Sequence, residues 1–497
     1  MSIKNDSHKK AEIKAISIYT EEPAAAKFRF LFLEPSLLGR IVQLGWPVIV
    51  GMLTQTAINT VDMLMVGRLD DSVAVPGTAA ILASVVLLWA YGGFLSSISV
   101  GTQAISARRF SEGSITKAGQ VLSNSIAVSI ISSAVITTIA IALIEPTMML
   151  LTKSPEVQHI GSEYSRIRLL GLPSMALMAS FKSFYDGMGR VRVHMGVAIA
   201  MNLINIVFSY VLIFGPEIGG VQFPHLGVYG AAWGSVISSY AGVLIMILWA
   251  LRKSDRHMKV FRLDNLNVGI ALNISRLSVW SGLATVVLMV GVGLFNYIVS
   301  VLDVMQGTSS TNASAASIIL HVMMLVFMTC LAFGTSTATL VSQSIGAKKP
   351  KLAERYVWQC VLLATYVMSI FGLLTFLFPR PILMLFLPPD LDANSLKEMV
   401  IETALPSLRL SALLLSPTAA AAMVLTQALY GAGETRFIMI AEFLLHFLCL
   451  VPLAWFLAIY LDLGIIGCWI AAIIYATGLL LATALKFLGG SWKKLVI

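Results

Sequence analysis

The chain has 497 residues, of which 57% are apolar and 12% charged, against about 25% charged in an ordinary soluble domain. At about 150 residues per domain this length would make roughly three soluble domains, but a mean hydropathy of +0.85 leaves too little polar material to cover them. The 34 Lys and Arg exceed the 25 Asp and Glu by nine charges. They lie in short loops between apolar runs, so the excess reads as membrane topology and not as a nucleic-acid footprint.

In chain order, residues 1–36 hold no apolar core of signal-peptide length and no small-residue cleavage pattern, which predicts a cytoplasmic tail. Runs of roughly 20 apolar residues, the length that crosses about 30 Å of hydrocarbon, then recur twelve times. They fall at about 37–66, 73–104, 116–144, 158–185, 193–215, 227–251, 270–302, 311–344, 354–378, 400–429, 437–460 and 464–488. The predicted fold is therefore an all-α integral membrane protein with twelve spans. Residues 37–251 form a first six-helix lobe (spans 1–6), 252–269 a linker, 270–490 a second lobe (spans 7–12) and 491–497 a C-terminal tail. Of the 34 Lys and Arg, 27 sit in the tails, in the loops after even-numbered spans or at adjoining span ends. The positive-inside rule then places both termini and the linker in the cytoplasm. Cys330, Cys360, Cys449 and Cys468 all fall in spans without C-x-x-C spacing and read as small packing residues.

The two halves repeat. LGWPVIVGMLTQTAINTVDMLMV from Leu44 falls on SVWSGLATVVLMVGVGLFNYIVS from Ser278, pairing Trp46 with Trp280 and Asp62 with Asn296. GLPSMALMASFKSFYDGMGRVR falls on LSPTAAAAMVLTQALYGAGETR with a shift of 244, pairing Pro173 with Pro417 and Arg192 with Arg436. HLGVYGAAW from His225 falls on DLGIIGCWI from Asp462. Six spans per half make the repeat parallel, about an axis along the membrane normal, and such a plan leaves a cleft between and within the lobes that suits an alternating-access carrier. No G-x-x-x-x-G-K-[ST] occurs and no segment could house a nucleotide-binding domain, so an ion gradient is the expected energy source. No H-E-x-x-H occurs, the seven histidines are scattered, and no nucleophile with a base can be assembled; the chain is expected to be no enzyme and to need no cofactor or metal.

Only a few acidic residues lie inside spans. Asp62 and Glu442 are the clearest, while Glu163, Asp303 and Glu402 are near span ends. An intramembrane carboxylate costs about 2.5–3.5 kcal/mol near the bilayer centre and persists mostly where it has a task or a partner. Asp62, in the outer part of span 1, reads either as a titrating or sodium-binding group or as an interfacial carboxylate near a helix end. Glu442 and His446, four apart, share one face of span 11. They read as a possible C-lobe titrating pair, which His321 of span 8 would approach, or as a structural pair near the cytoplasmic end. Lys182 is too far from Asp62 along the membrane normal to pair with it and is expected to snorkel. The 23 Met and 23 Phe could line a forgiving cavity or simply pack helices and face lipid.

Several segments together resemble the multidrug and toxic compound extrusion (MATE) family. They are PVIVGMLTQTAINTVDMLMVGRL from Pro47, GTQAISARRFSEGSITKAG from Gly101, FYDGMGRVRVHMGVAIAMNLINIVFSYVLIFG from Phe184, LGVYGAAWGSVIS from Leu226, TLVSQSIGAKKPKLAER from Thr339 and ALYGAGETR from Ala428. The resemblance spans about residues 37–490. It implies a V-shaped carrier in the inner (plasma) membrane that exports cationic or amphipathic drugs, acting as a monomer, in exchange for protons or sodium. Asp62 matches the family's first-helix coupling aspartate, and Pro47 the proline at which that helix is thought to bend. Tyr164 and Asn205 match polar cavity residues, with Asn202 one turn earlier. The bland alternatives are a kinked but static helix, an interface tyrosine and an asparagine bonding a neighbouring helix. Ser209 stands where some members carry a second aspartate. Gly291 and Ala419 stand where the sodium-coupled branch carries its C-lobe carboxylates, so coupling through Asp62, most simply by protons, is expected. Within transport the alternative is a lipid-linked oligosaccharide flippase of related architecture, which would carry several basic residues inside its cavity.

Overall fold

A computed structural model describes residues 33–69, 71–152, 154–252, 255, 258–308, 310–386 and 394–495. Most of the predicted N-terminal tail, parts of the linker and the last two residues lie outside the described residues. Eleven helices among the described residues are long and apolar enough to cross a membrane. The remaining predicted span, 158–185, is built from two shorter helices, Pro155–Leu169 and Leu172–Gly187. Helical backbone is what the composition demands, because in hydrocarbon every N–H and C=O must be satisfied within its own segment.

The observed spans are Pro35–Val66 (span 1), Asp71–Ser96 continued by Ile98–Ser111 (span 2), Ile115–Ala142 (span 3), Pro155–Leu169 with Leu172–Gly187 (span 4), Val191–Phe214 (span 5) and Val228–Ala250 (span 6). Then come Val268–Gln306 (span 7), Thr311–Gly346 (span 8), Pro350–Leu377 (span 9), Asn394–Ala432 (span 10), Thr435–Tyr460 (span 11) and Gly464–Leu488 (span 12). The internal repeat extends to irregularities that the alignment did not use. An eight-residue helix follows span 3 (Ile144–Leu151) and another follows span 9 (Pro379–Phe386). Span 4 breaks at Leu170 and Gly171, and the shift of 244 carries that break onto the wide π-helical turn Ser411–Leu415 of span 10. Each is followed at once by the matched proline, Pro173 or Pro417, whose missing N–H and ring clash disturb the preceding turn.

The chain folds as two compact units. One holds Trp46–Thr285; the other holds Val286–Val496 with the start of span 1 up to Gly45. The boundaries thus run through spans 1 and 7 rather than through the linker. Within the first unit a hydroxyl chain sews spans 2, 3 and 4 together: Thr102 meets Ser125 at 2.6 Å, and Ser125 and Ser129 each meet Ser180 at 2.7 Å. Such bonds hold helices together where apolar side chains gain nothing over lipid. The linker is pinned onto this unit, with buried Asp255 accepting from Arg190 at 2.8 Å and from the Tyr185 hydroxyl at 3.2 Å. Asn124 adds bonds to the Asn265 carbonyl and the Asn267 amide at 2.9 and 2.8 Å. In the second unit the start of span 1 is held by Glu34 on Arg355 at 2.5 Å and by Arg40 on the Tyr356 hydroxyl at 2.8 Å. Trp492 of the predicted C-terminal tail is buried and stacks on Phe487 at 4.8 Å.

Between spans 5 and 6, small residues set the spacing. Beyond span 5 a tight hairpin pairs Glu217–Ile218 with Val221–Gln222, and Gly219 and Gly220 at its tip both have positive φ, as a type I′ turn requires. Span 6 then returns along span 5 with Gly230, Gly234 and Gly242 facing it. A Cβ at Gly230 would stand 2.4 Å from the Leu212 carbonyl oxygen, and one at Gly234 would stand 2.4 Å from Ser209 Oγ and 2.7 Å from its backbone nitrogen. The two backbones are therefore in contact at the level of Ser209. That contact builds the site.

Candidate functional site

Asp62 lies four residues before the end of span 1 and is only 2% exposed. Ser209 is five residues from the C-terminal end of span 5, and Ser235 is seven residues, about 10 Å, into span 6. All three lie at one depth, and the glycine contact brings them together. Ser209 Oγ donates to Asp62 Oδ1 at 2.7 Å, and Ser235 Oγ donates to Oδ2 at 2.6 Å. Behind them, Asn205 Nδ2 donates to both serine oxygens at 3.2 Å.

This wiring has one consistent direction. An amide nitrogen carries two hydrogens and gives one to each serine; each serine then has a single hydrogen left, and it points at the carboxylate. Asp62 accepts on both oxygens, the arrangement that suits an ionised carboxylate. Asn205 Oδ1 is buried and has no hydrogen-bond partner among the described residues. An acceptor in that position stands ready for a donor or a cation. The Tyr164 ring, buried among Val66, Ile81 and Ile213, is within electrostatic range of Asp62, as is the Arg168 guanidinium one turn further along span 4.

The structure therefore brings Asp62, Asn205 and Tyr164 into one neighbourhood. Asn202 does not join them and gives its amide to the Ala198 carbonyl of its own helix at 2.9 Å. Pro47 is buried inside the continuous helix of span 1, two residues beyond Gly45, where that helix passes from one compact unit to the other. Ser235 was missed by sequence reasoning although it lies in the quoted LGVYGAAWGSVIS. Serine is common in spans, and only the Gly234 contact distinguishes it. Ser209 entered the sequence reading as a missing aspartate, yet it is the direct partner of Asp62. Arg168 was not singled out there.

Two expectations are corrected. Lys182 does not snorkel: its ammonium donates to Asp186 at 2.7 Å, with the Asp186 side chain 1% exposed. The i, i+4 spacing on span 4 makes this the cheapest way to place both charges in a helix. His321 does not approach the Glu442–His446 pair. It is exposed, bonds the Ser317 carbonyl at 2.7 Å and lies 6.3 Å from the Phe386 ring. The acidic residues near span ends have local tasks. Glu163 and Glu402 pair with Arg166 and Arg380, and Asp303 accepts from the Asn312 and Ala313 amides at 2.8 Å each, capping the start of span 8.

In the second unit, Glu442 and His446 do meet, with His446 Nδ1 3.3 Å from Glu442 Oε2. Tyr475 of span 12 donates its hydroxyl to the same oxygen at 2.6 Å. Groups of three or more His, Cys, Asp or Glu able to hold a metal ion are absent among the described residues.

Comparison with known proteins agrees with this architecture. The family model described as MatE matches twice, over residues 47–211 and 283–456, one match in each half of the repeat. A probable multidrug resistance protein NorM of Bacillus anthracis is 24% identical over 442 residues, covering 88% of this chain and 92% of that protein. The multidrug resistance protein NorM of Burkholderia vietnamiensis is 27% identical over 437 residues, covering 86% and 88%. Among solved structures, a MOP superfamily transporter from Pyrococcus furiosus superposes with a TM-score of 0.81 at 20% identity, over 96% of this chain and 97% of that one.

Proposed function

Because this chain belongs to the MatE family of multidrug efflux transporters, we propose that it is a proton-coupled antiporter in which Asp62 binds the coupling ion. The observation that carries this reading is a buried carboxylate that accepts from Ser209 and Ser235 on two different helices. A proton arriving at Asp62 must take one of the oxygens those serines occupy or crowd it. Neutralising the carboxylate therefore loosens the hold of span 1 on spans 5 and 6. Discharge restores both bonds. Coupling follows if the substrate-binding arrangement of these helices differs between the two states, which links proton and drug occupancy without direct contact between them.

The substrates proposed are small molecules, as the multidrug resistance named for the NorM relatives supports, and more narrowly the cationic or amphipathic compounds that the family resemblance implies. The 27 basic residues on one side support a reading with both termini in the cytoplasm, and an inner or plasma membrane is proposed as the location. A flippase for lipid-linked oligosaccharide is not favoured. The chain is a transporter and not an enzyme.

The test uses proteoliposomes loaded with a fluorescent organic cation, with proton and sodium gradients imposed separately. Wild-type efflux is expected to follow the proton gradient, and Asp62→Asn is expected to abolish it at unchanged protein abundance. Full efflux by Asp62→Asn would overturn the assignment. Efflux driven by sodium alone would leave Asp62 as the site and replace the ion, with Asn205 Oδ1 as an added oxygen ligand.

A further inference from the structure

We propose that the Glu442–His446–Tyr475 cluster of the second unit is a separate proton-binding site, with His446 Nε2 as the atom that takes up the proton. Thr435 opens span 11, so His446 lies eleven residues, about 16 Å, along it, near the middle of that helix. A histidine held at that depth without a partner for one ring nitrogen is costly unless the nitrogen has a use.

The hydrogen-bond directions assign the atom. Tyr475 Oη donates to Glu442 Oε2 at 2.6 Å, so the carboxylate is an acceptor there. His446 Nδ1 faces two acceptors, the Glu442 carbonyl at 2.8 Å and Oε2 at 3.3 Å, so the ring hydrogen belongs on Nδ1. Nε2 is left with a lone pair. It is fully buried, in a side chain of 0% exposure, and has no hydrogen-bond partner among the described residues. A proton arriving from water binds that lone pair and makes an imidazolium, whose charge Glu442 balances through Nδ1–H. No other bond is broken.

The backbone is shaped for this ring. His446 begins the π-helical turn His446–Leu450, which Pro452 follows just as Pro417 follows Ser411–Leu415, so the ring stands where the proline has widened the helix. Across from it, span 7 offers Gly291, where a Cβ would stand 2.2 Å from His446 Cδ2 and 3.1 Å from Nε2. Glycine at 291 is what lets the Nε2 edge lie against span 7. Among the described residues, ionisable groups in electrostatic reach of the cluster include the Tyr430 hydroxyl from span 10, beside Glu442, and the Cys449 thiol on span 11, beside Tyr475. Span 7 contributes none at Gly291, and the Tyr475 ring packs on the imidazole at 4.5 Å between centroids.

The experiment reads proton uptake by the purified full chain in nanodiscs, without substrate, after a jump from about pH 8 to about pH 5.5 in weak buffer with a pH dye. It is therefore independent of whether Asp62 couples transport. His446→Gln keeps a polar amide near Nε2 and is expected to bind about one proton fewer per chain than wild type. Asp62→Asn is expected to leave that difference in place. Glu442→Gln keeps the histidine and is expected to change the pH profile of that uptake, because it removes the balancing charge. Gly291→Ala, which pushes the ring aside, is expected to do the same. A His446→Gln chain with the wild-type proton count and pH profile would overturn the proposal. Should that variant fail to assemble, an unchanged profile in Glu442→Gln would overturn it instead. A purely structural pair would move thermal stability and leave the proton count alone.

Discussion

Gly234→Ala is a one-methyl perturbation that reaches Asp62 without touching it. The new Cβ would lie 2.4 Å from Ser209 Oγ, 2.7 Å from its nitrogen and 2.9 Å from its Cα. A serine oxygen can rotate away, but backbone cannot. Ordinary contact begins near 3.4 Å, so spans 5 and 6 must part by about 0.7 Å at this level. Overpacking of this kind costs about 1–3 kcal/mol. The same displacement stretches the 2.6 and 2.7 Å serine–carboxylate bonds to beyond the 3.0 Å limit of a good O–H···O bond. A bond to a charged group is worth about 1.5–3 kcal/mol, and about 1.4 kcal/mol is a factor of ten. Losing one such bond in the carboxylate state therefore lowers proton-driven efflux about tenfold or more. The assay is organic-cation efflux from proteoliposomes at matched protein content, with thermal unfolding measured alongside. Gly196→Ala is the blank, since nothing stands within 4 Å of its Cβ position. Gly230→Ala crowds the same helix pair at Leu212, away from the carboxylate. It is expected to cost similar stability and less transport. Wild-type efflux in Gly234→Ala at equal abundance would refute the link between this contact and Asp62.

Ser235→Ala removes one donor from Asp62 and is expected to cut efflux by about tenfold, whereas Ser238→Ala, whose hydroxyl bonds the Ser235 carbonyl of its own helix, leaves it unchanged; equal effects of the two in the efflux assay would contradict the site. Lys182→Met removes the ammonium that donates to Asp186 and is expected to lower the thermal-unfolding midpoint, with Lys182→Met/Asp186→Leu recovering most of the loss. Asp255→Ala removes the acceptor for Arg190 and Tyr185 and is expected to speed proteolysis within residues 252–269, read by gel after limited trypsin treatment, while the helical content stays constant.

How far the sequence could be read depended on the range of the interaction. Spans and duplication were legible because hydrocarbon imposes one length and one backbone solution. Even the broken span 4 carries its cause in Pro173. Asp62 was legible because a lone carboxylate in an apolar run is conspicuous, and Asn205 and Tyr164 because they match a family pattern. Glu442 and His446 were legible as an i, i+4 pair, a purely local geometry. Local geometry also favoured Lys182 with Asp186, but topology reasoning assigned that lysine to the interface. Ser235 and Tyr475 were not legible. Each is an ordinary residue on an ordinary span, and its role rests on which helix faces which.

The 57% apolar and 12% charged composition, with its twelve runs and its repeat, determined by itself that the chain crosses a membrane as two related halves. It also determined that few ionisable groups remain inside. Only the tertiary structure decided what those groups touch. Helix rotation and spacing depend on side chains from different spans meeting at one level, as Gly234 meets Ser209 and Gly291 meets His446. A hydrogen bond is lost within an ångström of misplacement, and no one-dimensional pattern fixes the distance between two helices that finely.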